Sequence, residues 1–129
     1  MSGSQDPDKH DVDILTTFIT QLKGLQTMTQ SSNIDERSLQ QHFLAVQQLY
    51  QTQILPLMMT SSAAADFVSY QTEINRALRL LGLDVAFLQS AKQSVTQQKR
   101  QAQMLKRLDT LLEFCQGLKT VLSATKQDS

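Results

Sequence analysis

The chain has 129 residues, a formal charge of zero, one cysteine, four glycines and two prolines, with 40% apolar and 5% aromatic residues. That length suits one domain with a modest core, and so few turn formers argue against an all-β fold. The single Cys115 excludes an internal disulfide framework. No stretch is long and apolar enough to span a bilayer and no secretory signal pattern is present, so a reducing, cytoplasmic setting is expected.

Residues 1–7, MSGSQDP, are polar and unpatterned, read as an expression remnant, and are set apart from the fold. Asp8 or Asp11 then offers an N-cap, and the acidic first turn suits the helix dipole. The first helix is predicted to run to about Met28, with Leu15, Phe18, Leu22 and Leu25 on one stripe and Val12 and Ile19 beside it. TMTQSSN reads as a loop. Asn33 and Glu36 have capping-box spacing, opening a second helix with Leu39, Phe43, Val46, Leu49 or Tyr50, Ile54 and Leu57 inward. Pro56 is expected to kink or stop that helix near Leu55, because proline donates no hydrogen bond and crowds the preceding turn. Ser61 or Ser62 is the expected cap of the third helix.

Phe67–Lys92 organises the whole chain. Phe67, Ile74, Leu78, Leu81, Val85 and Leu88 form one seam, and Ala77, Leu80, Leu83 or Asp84, Phe87 and Ala91 a second. A helix with two apolar lines is central or shared with a partner, and Leu80, Leu83 and Phe87 are the expected self-association stripe of a homodimer. Gly82 costs about 1 kcal/mol relative to Ala inside a helix, which points to a backbone passing close by. A break is placed before the capping-box spacing Ser94-Val95-Thr96-Gln97, with one continuous helix as the alternative. The fourth helix carries Ala102, Leu105, Leu108, Leu112, Cys115 and Leu122 on one face, widened by Leu111, Phe114, Leu118 and Val121. Cys115 reads as a small core residue. A polar tail from Ala124 is expected to fray. The predicted architecture is an all-α bundle of about four helices, the last two long. It is one domain over residues 8–124, followed by a disordered tail at 125–129.

The charge is unevenly spread. Residues 1–75 hold three Lys/Arg against eight Asp/Glu, residues 76–107 seven against one, and residues 108–129 two against three. A basic middle and an acidic start point to self-docking or an acidic partner. The candidate partner-binding cations are Arg76, Arg79, Lys92, Lys99, Arg100, Lys106 and Arg107. No catalytic constellation accompanies them. His10 and His42 lack a metal-site partner at helical spacing, and His42 reads as a surface residue. The Glu-x-x-His pairs of di-iron bundles and the phosphate-cradling glycine motifs are absent. Neither a catalytic residue nor a cofactor or metal site is expected. Glu73 and Arg76 have the spacing of a surface ion pair. Asp84 interrupts an apolar run, and its candidate partners are Arg76 and Arg79. The competing reading is a small nucleic-acid-binding regulator using the 76–107 cations, although the aromatic or Gly-rich interleaving of such proteins is missing.

The run SYQTEINRALRLLGLDVAFLQSAKQ, followed by TQQKRQAQ and RLDTLLEFC, is similar to the cyanobacterial heterocyst-frequency control family, PatD. The likeness covers roughly Phe43 to Cys115. It is strongest at Ser69–Gln93, through Tyr70, Gln71, Thr72, Glu73, Leu78, Arg79, Leu80, Leu81, Gly82, Asp84, Phe87, Leu88 and Gln89. The resemblance implies a small helical regulator without enzymatic activity. Its implied target is the cell-division protein FtsZ, with effects on cell size and on how many cells differentiate. It carries no catalytic motif, so it transfers no functional residues. FtsZ is strongly acidic, which is compatible with the basic segment.

Overall fold

Leucine-rich heptad-like spacing with few helix breakers produces five α-helices in the structure, a computed structural model that describes residues 7–61 and 64–127. They are α1 (Pro7–Gln30), α2 (Glu36–Leu49), α3 (Leu55–Thr60), α4 (Ala64–Ser90) and α5 (Ser94–Gln127), with a π-helical segment, Tyr50–Ile54, joining α2 to α3. No strand occurs among the described residues.

α1 begins at Pro7, so Asp8 and Asp11 lie inside the helix rather than capping it, and residues 1–6 of the expected remnant lie outside the described residues. Proline fits a first helical position because the amide it lacks would be unpaired there. α1 runs two residues past Met28. Its end is capped from a distant helix, with Gln101 Nε2 donating to the Thr29 carbonyl and, across 3.3 Å, to that of Ser31. These carbonyls are among those a helix C-terminus leaves without an internal partner.

The cap of α2 is Asp35 rather than Asn33. Asp35 has extended backbone, Oδ1 accepts from the Ser38 amide at 3.3 Å, and Oδ2 accepts from the Ser38 hydroxyl at 2.9 Å. Asp35 satisfies an orphan amide of the first turn, and its negative charge sits at the favourable end of the helix dipole. Toward Pro56 the helical chain does not stop. It widens by one residue, so the Leu55 amide donates to the Tyr50 carbonyl. A five-residue repeat moves the carbonyls away from the proline ring, and the chain then continues through α3. Of Leu49 and Tyr50 it is Tyr50, at the regular helical spacing from Leu39, Phe43 and Val46, that turns inward and is 2% exposed. Ser61 is extended and its carbonyl accepts from the Ala64 amide at 3.1 Å, closing the turn into α4. Ser62, the other expected cap, lies outside the described residues.

α4 and α5 are separate helices. Residues 91–93 are non-helical, and α5 starts at Ser94, with the Gln97 amide bonded to the Gln93 carbonyl at 2.9 Å. Ser94 is therefore the first helical residue and Gln93 occupies the cap position. α5 continues to Gln127, past the point where fraying was expected, and residues 128–129 of the tail lie outside the described residues.

Cross-helix pairs fix the topology. His42 of α2 faces Gln21 of α1, and Tyr50 of the π-segment faces Phe18 of α1. Phe43 lies against Gly82, and Gln89 against Gln40, between α2 and α4. Asp84 meets Arg107, and Phe87 meets Arg100, between α4 and α5. Thr29 meets Met104, and Gln26 meets Asp109, between α1 and α5. In each pair of helices the numbering rises on one as it falls on the other. The result is a closed up-down-up-down bundle in which α2, the π-segment and α3 act as one continuous arm.

The core runs along the axis of this bundle. The α1 stripe, the α2 stripe and the principal α4 seam are buried as the periodicity predicts. Burying each such Leu, Ile or Phe contributes about 1.5–3 kcal/mol by transfer from water. The α5 stripe differs from expectation. Its buried line is Met104, Leu108, Leu111, Cys115, Leu118 and Leu122, while Leu105 and Leu112 are half-buried and Ala102 is exposed. On the second α4 line, Asp84 rather than Leu83 points inward, at 3% exposure against 49%.

Gly82 makes room for a ring rather than for a backbone. A Cβ there would lie 3.2 Å from Phe43 Cζ, so glycine lets α2 and α4 approach with the phenyl ring between them. At Gly117 a Cβ would lie 2.9 Å from Tyr70 Oη, and the Tyr70 ring rests across α5 in the same way.

Candidate functional site

The face where α4 runs alongside α5 gathers most of the unusual chemistry. At its centre Arg107 Nε donates to Asp84 Oδ2 across 2.6 Å, and Nη2 reaches Oδ1 at 3.5 Å. The Asp84 side chain is 4% exposed and that of Arg107 21%. A carboxylate this buried requires a matched, hydrogen-bonded cation, and the partner comes from α5, not from Arg76 or Arg79. Arg107 is thereby committed to the fold rather than free for a partner molecule.

One turn further along, the Arg100 guanidinium lies 4.4 Å above the centre of the Phe87 ring. The ring's electron-rich face attracts the cation, and the ring in turn loses part of its freedom to meet another chain. Phe87 is still 43% exposed and Leu83 49%. Leu44, next to the Phe43 that packs under Gly82, is 52% exposed. Leu80, expected on the same self-association stripe, turns instead toward α5.

On the other side of the ion pair the two helices part into an open groove of about 660 Å³. Ala77 and Leu80 of α4 and Phe114 of α5 supply apolar lining, with Arg76, Lys106 and the single carboxylate Glu73 also at its walls. Arg76, Arg79, Lys92, Lys99 and Lys106 are exposed. None of these five is within ion-pair distance of a carboxylate among the described residues. The Glu73–Arg76 pair expected from spacing is not formed. Of the seven cations singled out in the sequence, five therefore remain uncommitted and two, Arg100 and Arg107, hold α5 to α4.

Elsewhere the titratable groups are structural. His42 is half-buried rather than on the surface, and its Nε2 lies 3.1 Å from the Gln21 carbonyl on α1. Cys115 is fully buried, and burial pushes its thiol up to about 12, far from a reactive thiolate. Burial likewise raises the Tyr50 phenol to about 12, reinforced by the neighbouring Cys115. The Tyr50 hydroxyl is buried with no hydrogen-bond partner among the described residues. Among the described residues no cluster of three His, Cys, Asp or Glu side chains is arranged to hold a metal ion. No described helix is long and apolar enough to cross a membrane.

No family model, curated protein or solved structure matches the chain. The site stands on its own geometry: a buried ion pair, a stacked cation and an apolar-lined groove flanked by uncommitted cations.

Proposed function

We propose that this bundle is a non-enzymatic regulator that works by contact, using the basic α4–α5 face to bind an acidic protein and modulate its assembly. One observation carries the reading. Arg76 and Lys106 are exposed at the walls of an apolar-lined groove and Arg79, Lys92 and Lys99 are exposed elsewhere on α4, α5 and their connection, none of the five paired with a carboxylate among the described residues, while Arg107 and Arg100 are held by Asp84 and Phe87. Uncommitted like charges on one face steer an oppositely charged partner and set which partners are rejected.

The PatD resemblance of Ser69–Gln93 supplies the partner in this proposal, the polymer-forming FtsZ, and with it an effect on cell size and heterocyst frequency. The test is co-sedimentation with assembled FtsZ over a salt series. Binding that weakens as salt rises supports the reading. Absence of binding at low salt, with retention of duplex DNA on a steep salt slope, would favour a nucleic-acid regulator instead.

Self-association belongs to the same proposal. Leu83 and Phe87 remain about half exposed on α4, and a second copy packed there would present two basic faces to neighbouring protomers of a polymer. Light scattering should then report twice the 14.5 kDa chain mass, and Leu83→Glu should return the chain to a monomer.

A further inference from the structure

We infer that the groove between α4 and α5 seats an acidic amphipathic helix of the protein partner, with that helix's apolar side chains on Leu80 and Phe114 and its carboxylates on Arg76 and Lys106. This rests on the protein-binding reading above and assigns it a place.

The walls of the groove are two antiparallel helices, so it is elongated and open along its length. That shape accepts a row of side chains at i, i+4 and i+7 of a third helix, the arrangement by which amphipathic helices dock into grooves. Ala77 is small enough to let such a helix approach, and Leu80 and Phe114 offer half-buried apolar surface to cover. Arg107, although it lines the groove, is neutralised by Asp84 from behind. The uncommitted charge is therefore two cations, Arg76 and Lys106, against Glu73, with Arg79 and Lys99 exposed on the same two helices. Complementarity asks for carboxylates flanking an apolar stripe. A phosphate backbone would use the cations but leave the apolar lining uncovered, which is why a protein segment is the better fit.

The groove is also built to keep its shape. The Asp84–Arg107 bond ties the helices together beside it, and the Tyr70 ring of α4 packs directly on Gly117 of α5. A pre-formed groove gives up little ordering entropy on binding.

The experiment uses the full chain and a fluorescein-labelled synthetic helix carrying Leu at i, i+4 and i+7 and Glu on its flanks, read by anisotropy. Saturable binding is expected. It should weaken about tenfold for Arg76→Glu/Lys106→Glu and about tenfold for Leu80→Gln, and should be unchanged for Lys23→Glu on α1. A scrambled peptide of the same composition, lacking the apolar face, should bind about tenfold more weakly. Arg76 and Lys106 are exposed, so their reversal leaves the fold intact even if Leu80→Gln lowers stability. Equal binding of the scrambled peptide, unchanged binding by both groove variants, or no saturation up to about 1 mM would each overturn the assignment. The same variants in the FtsZ co-sedimentation separate the two claims. If they pellet like the wild type, the groove assignment fails and the FtsZ reading stands. If the wild type binds the peptide but not FtsZ, the groove stands and the FtsZ reading fails.

Discussion

Arg107 reaches across from α5 to place its Nε 2.6 Å from the buried Oδ2 of Asp84 on α4. The bond ties the two longest helices together and removes one cation from the proposed binding face. Arg107→Met alone leaves the carboxylate buried without a partner and should cost about 3–5 kcal/mol of stability. Asp84→Leu/Arg107→Met, which replaces both partners by apolar groups of comparable volume, should be close to wild type or more stable. Chemical denaturation of the four members of that cycle measures the coupling. Because Arg107 is already spent on Asp84, the double variant should still bind the partner.

Tyr50 occupies the point where Pro56 forces the helix to widen, and its hydroxyl is buried without a partner among the described residues. Tyr50→Phe should therefore leave stability unchanged or raise it by about 1 kcal/mol, since it removes a polar group that was desolvated for no bond in return. The phenol and the Cys115 thiol also set an alkaline limit. Both are pushed up to about 12 by burial, from ordinary values of 10.0 and 9.0. The folded state keeps its protons where the unfolded chain releases them. Their contribution is complete below about pH 9 and is lost as pH climbs toward 12. Thermal melts between those limits should fall less steeply for Tyr50→Phe/Cys115→Ala than for the wild type.

The Asp35 cap has the opposite sign. Hydrogen bonding from the Ser38 hydroxyl and amide holds its carboxyl below the ordinary 3.8. Its contribution is complete above that value and disappears as pH falls through the lowered one. Asp35→Ala should reduce the melting temperature at neutral pH, and the difference from wild type should close in strong acid. Asn33→Ala, at the residue whose spacing suggested the cap, should have little effect.

Gly82→Ala adds a methyl that meets Phe43 at 3.2 Å. The gain in helix propensity, about 1 kcal/mol, is opposed by overpacking that costs about 1–3 kcal/mol where the neighbour cannot yield. Phe43 is 6% exposed and enclosed, so the net change should be destabilising. In Phe43→Leu, where the ring is gone, the same Gly82→Ala should become neutral or stabilising. Denaturation midpoints across that cycle decide it.

Much of this architecture was legible in the spacing of apolar residues. α1, α2 and the principal seam of α4 each have one narrow stripe, and the stripe is the buried one. α5 was misread because its apolar residues extend around more than half the helix. A line through Leu105 and Leu112 and a line through Met104 and Leu111 then look equally good, and only the neighbouring helices select between them. Met104 also lies in a stretch rich in Gln, Lys and Arg, residues 97–107, which disguises it as surface. The break before Ser94 was visible, but the π-turn was not. Proline announces that a helix must change near Leu55 without saying whether it stops, kinks or widens. The pairing of Asp84 with Arg107 spans 23 residues and depends on the register of two long helices, which no local pattern contains. For the same reason the seven cations could be counted but not sorted into the two that hold the fold and the five that remain available.

The central claim is that those uncommitted cations are how the protein meets its partner. The most direct test is polymer co-sedimentation of Arg76→Glu/Arg79→Glu/Lys99→Glu/Lys106→Glu against wild type, at matched helicity by circular dichroism. The account predicts that the reversed chain stays in the supernatant while the wild type pellets with FtsZ. Equal pelleting of the two chains at low salt would contradict it.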